Sequence, residues 1–253
     1  MASFGYRFGE AGGFKNAEGL SVVDNVVIII PAYNEAGRIA DTIKGIRRFT
    51  DADLVVINDG SVDGTSAEAH NAGAVVIDLS SNLGYGAALQ TGYKYALRKG
   101  YDFAVQIDAD GQHDPSSIRL LIEPVVNNDV DVAIGSRFAD LGNYKAPFVR
   151  RLGMYFFAAI TSVITGRKIT DPTSGFQALN RKVMEFYASE AFPVDYPDAD
   201  VIVMLHRKGF RFKEVPVLMH NAAKPSMHGG VVKPLYYIFK MCLSIFVTLI
   251  RKS

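Results

Sequence analysis

Residues 101–115 carry the sequence YDFAVQIDADGQHDP, in which an apolar run leads into two aspartates, a glycine and a proline. The apolar part predicts a buried strand, and Pro115 predicts the start of a helix. Asp108 and Asp110 therefore follow the strand where the backbone turns, and alternate residues of an extended segment point the same way. Two carboxylates that face one point, with the neutral oxygen of Gln112 beside them, suit a hard cation such as Mg²⁺ or Mn²⁺. The alternative for this pattern is a solvated turn without a metal.

Apolar runs alternate with helical patterns through the first half of the chain, which is typical of βαβ units and a parallel sheet. Right-handed crossovers place helices on both faces of such a sheet. We therefore predict an α/β fold with a mostly parallel sheet, helices on both faces and an apolar C-terminal helix. The predicted strands are 26–30, 54–57, 74–79, 101–105, 130–134 and 212–217. A helical pattern follows 31–35 and runs through 48, a helix opened by 82–86 runs to about 99, and further helices are predicted at 62–71, 115–126, 147–165 and 196–208, with a turn-rich loop at 169–180.

Unusual polar residues fall where the predicted strands end. Ligands of parallel α/β sheets bind outside the carboxyl ends of the strands, so these residues are expected to form a single site. The segments concerned are 31–35, 59–61, 82–86, 108–112 and Arg137.

The composition excludes several classes of protein. The chain has 253 residues, 49% hydrophobic and 21% charged, which predicts one large α/β domain and excludes wholesale disorder. A formal net charge of +1 argues against a general nucleic-acid-binding protein. The single cysteine, Cys242, excludes an internal disulfide and a cysteine-based zinc site. It suits a reducing compartment such as the cytoplasm.

Four blocks of this sequence resemble, in order and spacing, the GT-A glycosyltransferases of family 2. The resemblance is strongest to the polyprenyl-phosphate branch, the dolichol-phosphate-mannose-synthase-like proteins, and it covers about 26–218. It implies a GT-A, Rossmann-like fold. One departure is Asn58, where many members have an aspartate, and its role is left open. The blocks are IPAYNE at 30–35, NDGSVDGT at 58–65, NLG at 82–84 and DADGQH at 108–113, extended by IGSR at 134–137 and DPTSGF at 171–176.

The resemblance implies a role for each matching residue. The residues implied to line the donor nucleotide are Pro31, Tyr33, Glu35 and Asp59. Those implied to hold the metal and the donor diphosphate are Asp108, Ala109 and Asp110, with Gln112 as a further metal ligand. Arg137 is implied to contact a donor or acceptor phosphate, and Lys224 to bind the diphosphate. Two simpler interpretations remain open, because Glu35 could be an ordinary acid in a first helical turn and Asp59 an ordinary turn former.

The implied reaction is an inverting transfer of a sugar from a UDP-, GDP- or dTDP-sugar, with Mg²⁺ or Mn²⁺ neutralising the leaving diphosphate. The acceptor stays open. A polyprenyl phosphate, with a second pKa of about 6, is already ionised and needs no base, and Arg150 and Arg151 would suit its phosphate. A saccharide hydroxyl needs a general base, for which Asp198 and Asp200 are the candidates.

Two other functions would explain part of this pattern. A nucleotidyltransferase would need a glycine- and lysine-rich phosphate loop where the chain has 31–35. A protein that only binds sugar nucleotides would not need the intact pair of Asp108 and Asp110.

The chain ends are expected to differ from the catalytic domain. The predicted segments are a flexible arm at 1–21, the catalytic domain at 22–219, a mobile loop at 220–230 and a C-terminal amphipathic or apolar helix at 231–253. The apolar run 235–250 is shorter than the about 20 residues of a membrane span. It could lie in the membrane interface at the cytoplasmic face, or pack against the domain or a second subunit.

Overall fold

The computed structural model describes residues 14–15, 21–23, 25–138, 148–193, 197–220 and 232–250. The strands are β1 (Phe14–Lys15), β2 (Ser21–Val23), β3 (Val26–Ala32), β4 (Asp53–Asn58), β5 (Val75–Asp78), β6 (Phe103–Gln106), β7 (Val132–Ser136), β8 (Gln177–Asn180) and β9 (Phe212–Pro216). The helices are α1 (Ile39–Arg47), α2 (Thr65–Asn71), α3 (Tyr85–Lys99), α4 (Ile118–Val126), α5 (Phe148–Thr165), α6 (Arg181–Tyr187), α7 (Ala199–Arg207) and α8 (Val232–Ile250), and a short 3-10 turn, Pro115–Ser117, precedes α4.

Seven of the strands form one sheet in the order β5-β4-β3-β6-β8-β7-β9. All neighbouring pairs are parallel except those of β8, which runs antiparallel to both β6 and β7. At the centre, Ile29 is in register with Val55 on one side and with Gln106 on the other. The two short strands β1 and β2 pair separately and antiparallel. The predicted α/β fold with a mostly parallel sheet is confirmed.

The prediction was wrong for the end of the loop at 169–180, where the structure has strand β8. This strand has four residues, Gln-Ala-Leu-Asn, with no β-branched side chain, so its partners on both sides determine its conformation. Helix α6 follows directly, and the Asn180 side chain caps it by accepting from the Val183 amide at 3.1 Å. Because β8 is antiparallel, its amino end lies at the same edge as the carboxyl ends of β6 and β7. The segment 171–176 therefore reaches the predicted site.

Helices cover both faces of the sheet, and the side chains of β3 alternate between the two cores that these helices form. Val26, Ile28 and Ile30 pack in the core formed with α1, α2 and α4. Val27 and Ile29 pack in the core formed with α3, α6 and α7. All five side chains are fully buried, and each burial stabilises the fold by about 1.5–3 kcal/mol. Burial on both faces explains the uninterrupted β-branched run.

Helix α8 packs on α5 and α7 by one face, with Met241 and Ile245 buried in a third core. Its other face is exposed, and the residues Phe239 and Ile250 there are each 64% accessible. Within the described residues, none of the helices combines the length and the apolar character needed to cross a bilayer. The exposed large apolar residues of α8 are Tyr236, Phe239, Leu243, Phe246, Val247, Leu249 and Ile250.

Candidate active site

Asp108 lies just past the carboxyl end of β6, where two side chains hold its carboxylate. The Tyr85 hydroxyl donates to Oδ1 at 2.8 Å, and His113 Nε2 lies 3.3 Å from Oδ2. Burial raises the pKa of Asp108, but the contacts with His113 and Tyr85 and the charge of Arg137 outweigh it, so the pKa is lower than usual. The side chain is still 29% exposed. Asp108 is therefore an ionised and oriented carboxylate that a ligand can reach.

Asp110 follows two residues later in a tight turn. The main-chain amide of Gln112 donates to Asp110 Oδ1 at 2.9 Å. Burial and the charge of Asp108 raise the pKa of Asp110. Gly111 makes the turn possible, because its φ of +73° is one that side-chain-bearing residues rarely adopt. A carboxylate whose pKa is raised by a second carboxylate beside it belongs to an arrangement that a bound cation stabilises.

The donor set at this turn fits a hard divalent cation that takes its other ligands from substrate. In the part of the chain that the structure describes, no three His, Cys, Asp or Glu side chains group to hold a metal. Mg²⁺ commonly binds through one or two carboxylates and completes its shell with water and substrate phosphates. Asp108 and Asp110 supply that number. Gln112 is buried, and its main-chain carbonyl oxygen accepts from the main-chain amide of His220 at 2.7 Å. The role of its side chain as a ligand stays a prediction.

The segment that precedes β8 passes directly beside Asp108. A β-carbon built on Gly175 would lie 2.7 Å from the Tyr85 hydroxyl oxygen and 2.8 Å from Asp108 Oδ2. Real β-carbons are essentially never found so close to other atoms. Only glycine at this position therefore leaves both groups where they are.

Arg137, at the end of β7, is buried in a two-armed ion pair with the fully buried Asp171. Its guanidinium also donates to Thr173 Oγ1 at 2.9 Å. Glu214 of β9 accepts from the amides of Thr170 and Asp171 at 2.8 and 2.6 Å and so fixes the same loop. Burial raises the pKa of Glu214. Protein side chains thus hold the guanidinium, and its predicted contact with a substrate phosphate stays a prediction.

Asp200 is fully buried at the start of α7. Its carboxylate accepts from the amides of Asp198 and Val201, at 3.1 and 2.9 Å, and from the Ser244 hydroxyl of α8. The structure gives Asp200 a place in the helix start, and its catalytic role stays a prediction.

Asp198, two residues earlier, belongs to the charged cluster of the site. It accepts a hydrogen bond from the Tyr237 hydroxyl at 2.6 Å. Burial raises the pKa of Asp198 to about 6, and the charges of Asp200 and Asp108 act in the same direction. The Tyr237 hydrogen bond and the charge of Arg137 oppose this rise. The structure therefore brings Asp198 within electrostatic reach of Asp108, one member of the predicted metal-binding pair.

Glu35, in the segment after β3, lies within electrostatic reach of both members of that pair. Its amide donates to Thr65 Oγ1 at 2.8 Å, and its carboxylate is 2.5 Å from the Arg38 guanidinium. Burial raises the pKa of Glu35, and the charge of Asp110 adds to this against the opposing charge of Arg38. Tyr33 is 37% exposed. Both residues lie at the predicted edge of the sheet, and their contact with a nucleotide stays a prediction.

Pro31 and Asp59, the other two predicted nucleotide contacts, are covered by the protein itself. Pro31 is buried within β3. Asp59 is only 3% exposed, and its two oxygens accept from the amides of Leu83 and Gly84 at 2.7 and 3.0 Å. Asp59 therefore ties the end of β4 to the start of α3. Its predicted contact with the base or ribose is not tested by this geometry.

Two predicted residues remain. Ala109 is buried between the two aspartates, and its carbonyl oxygen accepts from the Thr42 hydroxyl at 3.0 Å. Lys224 lies outside the described residues, as does the predicted loop apart from His220. Most of the predicted arm at 1–21 lies outside them as well.

Residues 27–187 match the model of glycosyl transferase family 2. The chain belongs to this family. The predicted family and the glycosyltransferase class are thereby confirmed, which favours glycosyl transfer over the nucleotidyl transfer considered from the sequence.

Relatives within family 2 agree with the predicted branch. The UDP-N-acetylglucosamine–dolichyl-phosphate N-acetylglucosaminyltransferase of Methanococcus voltae is 26% identical over 211 residues, covering 76% of this chain and 84% of that protein. The undecaprenyl-phosphate mannosyltransferase of Micrococcus luteus is 29% identical over 219 residues, covering 82% and 89%. Glucosyl-3-phosphoglycerate synthase from Mycobacterium tuberculosis, solved with Mn²⁺ and uridine-diphosphate-glucose, superposes with a TM-score of 0.66 at 19% identity, covering 88% and 78%. That last likeness confirms the GT-A fold of this family 2 chain.

Several residues of this family 2 site had no predicted role. Tyr85 lies in the segment 82–86 and Asp171 in the block 171–176, so a signal was present, but only the direction of β8 brings that block to Asp108. Glu214 and Tyr237 act through contacts between distant elements, and no local pattern marks them.

Proposed function

We propose that this glycosyltransferase moves a sugar from a UDP-, GDP- or dTDP-sugar to a polyprenyl phosphate of the dolichyl or undecaprenyl kind, inverting the anomeric carbon. The observation that carries the proposal is the pair of Asp108 and Asp110 at the edge of the sheet of a family 2 chain. Two relatives, by their names, use dolichyl phosphate and undecaprenyl phosphate, which supports the lipid acceptor.

On the donor side, Asp108 and Asp110 would hold Mg²⁺ or Mn²⁺ together with the donor diphosphate, with Gln112 as a further ligand. Such an ion, when bound, neutralises charge on the leaving nucleoside diphosphate. Tyr85 and His113 hold the Asp108 carboxylate in place beforehand. A group that is oriented in advance need not reorganise during the reaction.

The nucleotide would lie along the ends of β3 and β4. The charges of Asp110 and Asp108 both act to raise the pKa of Glu35, which supports a position near the ribose or diphosphate. The residues proposed to line the nucleotide and diphosphate are Pro31, Tyr33, Glu35, Asp59, Ala109 and Lys224.

On the acceptor side, an oxygen of the polyprenyl phosphate would attack the anomeric carbon as the bond to the nucleoside diphosphate breaks. A phosphate monoester with a second pKa of about 6 is mostly dianionic at neutral pH, so no proton has to be removed. Arg150 and Arg151, in the first turn of α5, would bind this phosphate through their planar guanidinium groups.

We further propose that the exposed face of α8 lies in the cytoplasmic membrane interface and brings the site to its lipid substrate. The helix has no acidic residue. Lys240 Nζ lies 5.4 Å from the centre of the Tyr236 ring, which suits a lysine whose stem rests on apolar surface while its charge reaches the headgroups. A second copy of this chain is the other partner that such a face could take.

A second candidate is transfer to a saccharide hydroxyl. The observation that favours it is Asp198, whose pKa of about 6 suits a general base near neutral pH.

The test is to incubate the full chain with a panel of nucleotide sugars, Mn²⁺ and short polyprenyl phosphates. We expect labelled sugar in the organic phase, lost in Asp110→Ala. Transfer only to a water-soluble glycan would favour the second candidate. Release of nucleoside diphosphate without any acceptor, again lost in Asp110→Ala, would exclude a protein that only binds sugar nucleotides.

A further inference from the structure

We propose that Tyr237 of helix α8 is a positioning residue, whose hydroxyl holds the Asp198 carboxylate in the active site and so links the docking of α8 to the reaction. This inference rests on the proposed glycosyl transfer, with either acceptor.

The contact is direct and its donor is held in one direction. The Tyr237 hydroxyl donates to Asp198 Oδ2 at 2.6 Å. The Tyr237 ring packs edge-on against the buried Phe157 of α5, with ring centres 6.0 Å apart and planes at 83°. Burial and the charge of Asp198 raise the pKa of Tyr237, so the phenol keeps its proton and acts as a donor. Both α5 and α8 therefore contribute to the placement of a carboxylate that lies directly before α7.

Two further polar contacts attach α8 to α7 along the same face. The Ser244 hydroxyl donates to Asp200, and the Thr248 carbonyl oxygen accepts from Arg207. Ser244 lies seven residues after Tyr237 and Thr248 four residues after Ser244, and residues at these spacings fall on one side of a helix. Ser244 donates to Asp200, whose carboxylate already accepts from main-chain amides at the start of α7. Tyr237 donates instead to Asp198, the carboxylate that interacts with the charges of Arg137 and Asp108.

The groups around Asp198 come from four other positions in the fold. Tyr237 faces it from α8 and Asp200 from α7, while Arg137 at the end of β7 and Asp108 beyond β6 act on it through their charges. Burial and the contact with Asp108 raise the pKa of Tyr85 on α3, and the charge of Asp198 adds to this rise. A change in the charge of Asp198 therefore acts on both the Arg137 guanidinium and the Asp108 carboxylate.

The test compares Tyr237→Phe with Ser244→Ala, which removes the matching hydroxyl from the same face of α8. Loss of a hydrogen bond to a charged group costs about 1.5 kcal/mol or more, or about one pKa unit. We expect the titration step of Asp198 in the pH dependence of sugar transfer to move upward by about that much in Tyr237→Phe. Ser244→Ala should leave the step where it is in the wild type. The titration of an acceptor phosphate is common to all variants and cancels in the comparison.

Asp198→Asn should remove the step, and adding Tyr237→Phe to it should change the profile no further. An unmoved step in Tyr237→Phe, or a uniform loss of rate at every pH, would make Tyr237 merely structural and overturn the inference. The pH dependence of Tm gives a second readout that needs no substrate, because the higher Asp198 pKa in Tyr237→Phe should extend the fall of Tm to higher pH. If the wild type transfers no sugar, the proposed function fails, while this readout still decides whether Tyr237 acts on Asp198.

Discussion

Replacing Gly175 by alanine tests whether the Asp108 carboxylate must stay where the structure places it. The added β-carbon would lie 2.7 Å from the Tyr85 hydroxyl oxygen and 2.8 Å from Asp108 Oδ2, so one of the two must move. Overpacking of this kind costs about 1–3 kcal/mol. Since Tyr85 also accepts from Gln106 Nε2 at 3.0 Å and donates to Asp108, neither group moves without losing a hydrogen bond.

If that cost falls on the oriented carboxylate, the affinity for Mn²⁺ in the presence of nucleoside diphosphate should drop by about 5- to 150-fold. The assay is calorimetric titration of Mn²⁺, with Tm measured in parallel. Gly153→Ala in α5 is the matched control, because its β-carbon meets no atom within 4 Å, and it should leave the affinity unchanged. Wild-type affinity and activity in Gly175→Ala would refute the idea that this carboxylate is fixed by its neighbours and needed in that position.

Three other substitutions test separate parts of the account through the free energy of unfolding, measured in urea. Asp198→Asn should stabilise the protein at pH 7 by up to about 3 kcal/mol but not at pH 4. With a folded-state pKa of about 6, protonation of Asp198 stabilises the wild type fully below the ordinary pKa of 3.8, and this stability is lost as the pH rises through 6. Equal effects of the substitution at both pH values would contradict this. Gly60→Ala should cost more than Gly73→Ala by about 1–3 kcal/mol. Both glycines have positive φ, but only at Gly60 would the added β-carbon press against backbone, 2.6 Å from the Asn82 nitrogen, so equal costs would mean that backbone strain alone explains both. Asp171→Ala should cost about 3–5 kcal/mol, because it removes the carboxylate that pairs with a buried guanidinium. Glu185→Ala, in an exposed helical pair, should cost at most about 0.5 kcal/mol, and similar costs for the two variants would show that burial does not matter here.

The parts of the fold that the sequence could predict are those whose reason is local. The run at 26–30 is β-branched because both faces of β3 are buried, and a two-sided strand has that pattern in any context. Asp108 and Asp110 could be placed at a strand end because the apolar run stops just before them. Strand β8 could not be predicted, since its four residues have no strand preference and are held by β6 and β7.

The same distinction applies to the site. Glu35 and Asp110 were expected near one another, because strand ends of a parallel sheet meet at one edge, and their charges do interact. Gly175 and Tyr237 reach the site only through the reversed strand β8 and the docking of α8. A residue whose partner lies far away in sequence leaves no periodicity to read, so these contacts needed the structure.

The central claim is that Asp108 and Asp110 together hold the ion that bears on the donor diphosphate. The most direct measurement is anomalous diffraction from a crystal of the full chain grown with Mn²⁺ and a nucleotide-sugar donor. The account predicts one manganese peak in direct coordination with both carboxylates and with diphosphate oxygens. A peak elsewhere in the protein, or a bound donor whose diphosphate leaves both aspartates without metal, would contradict it.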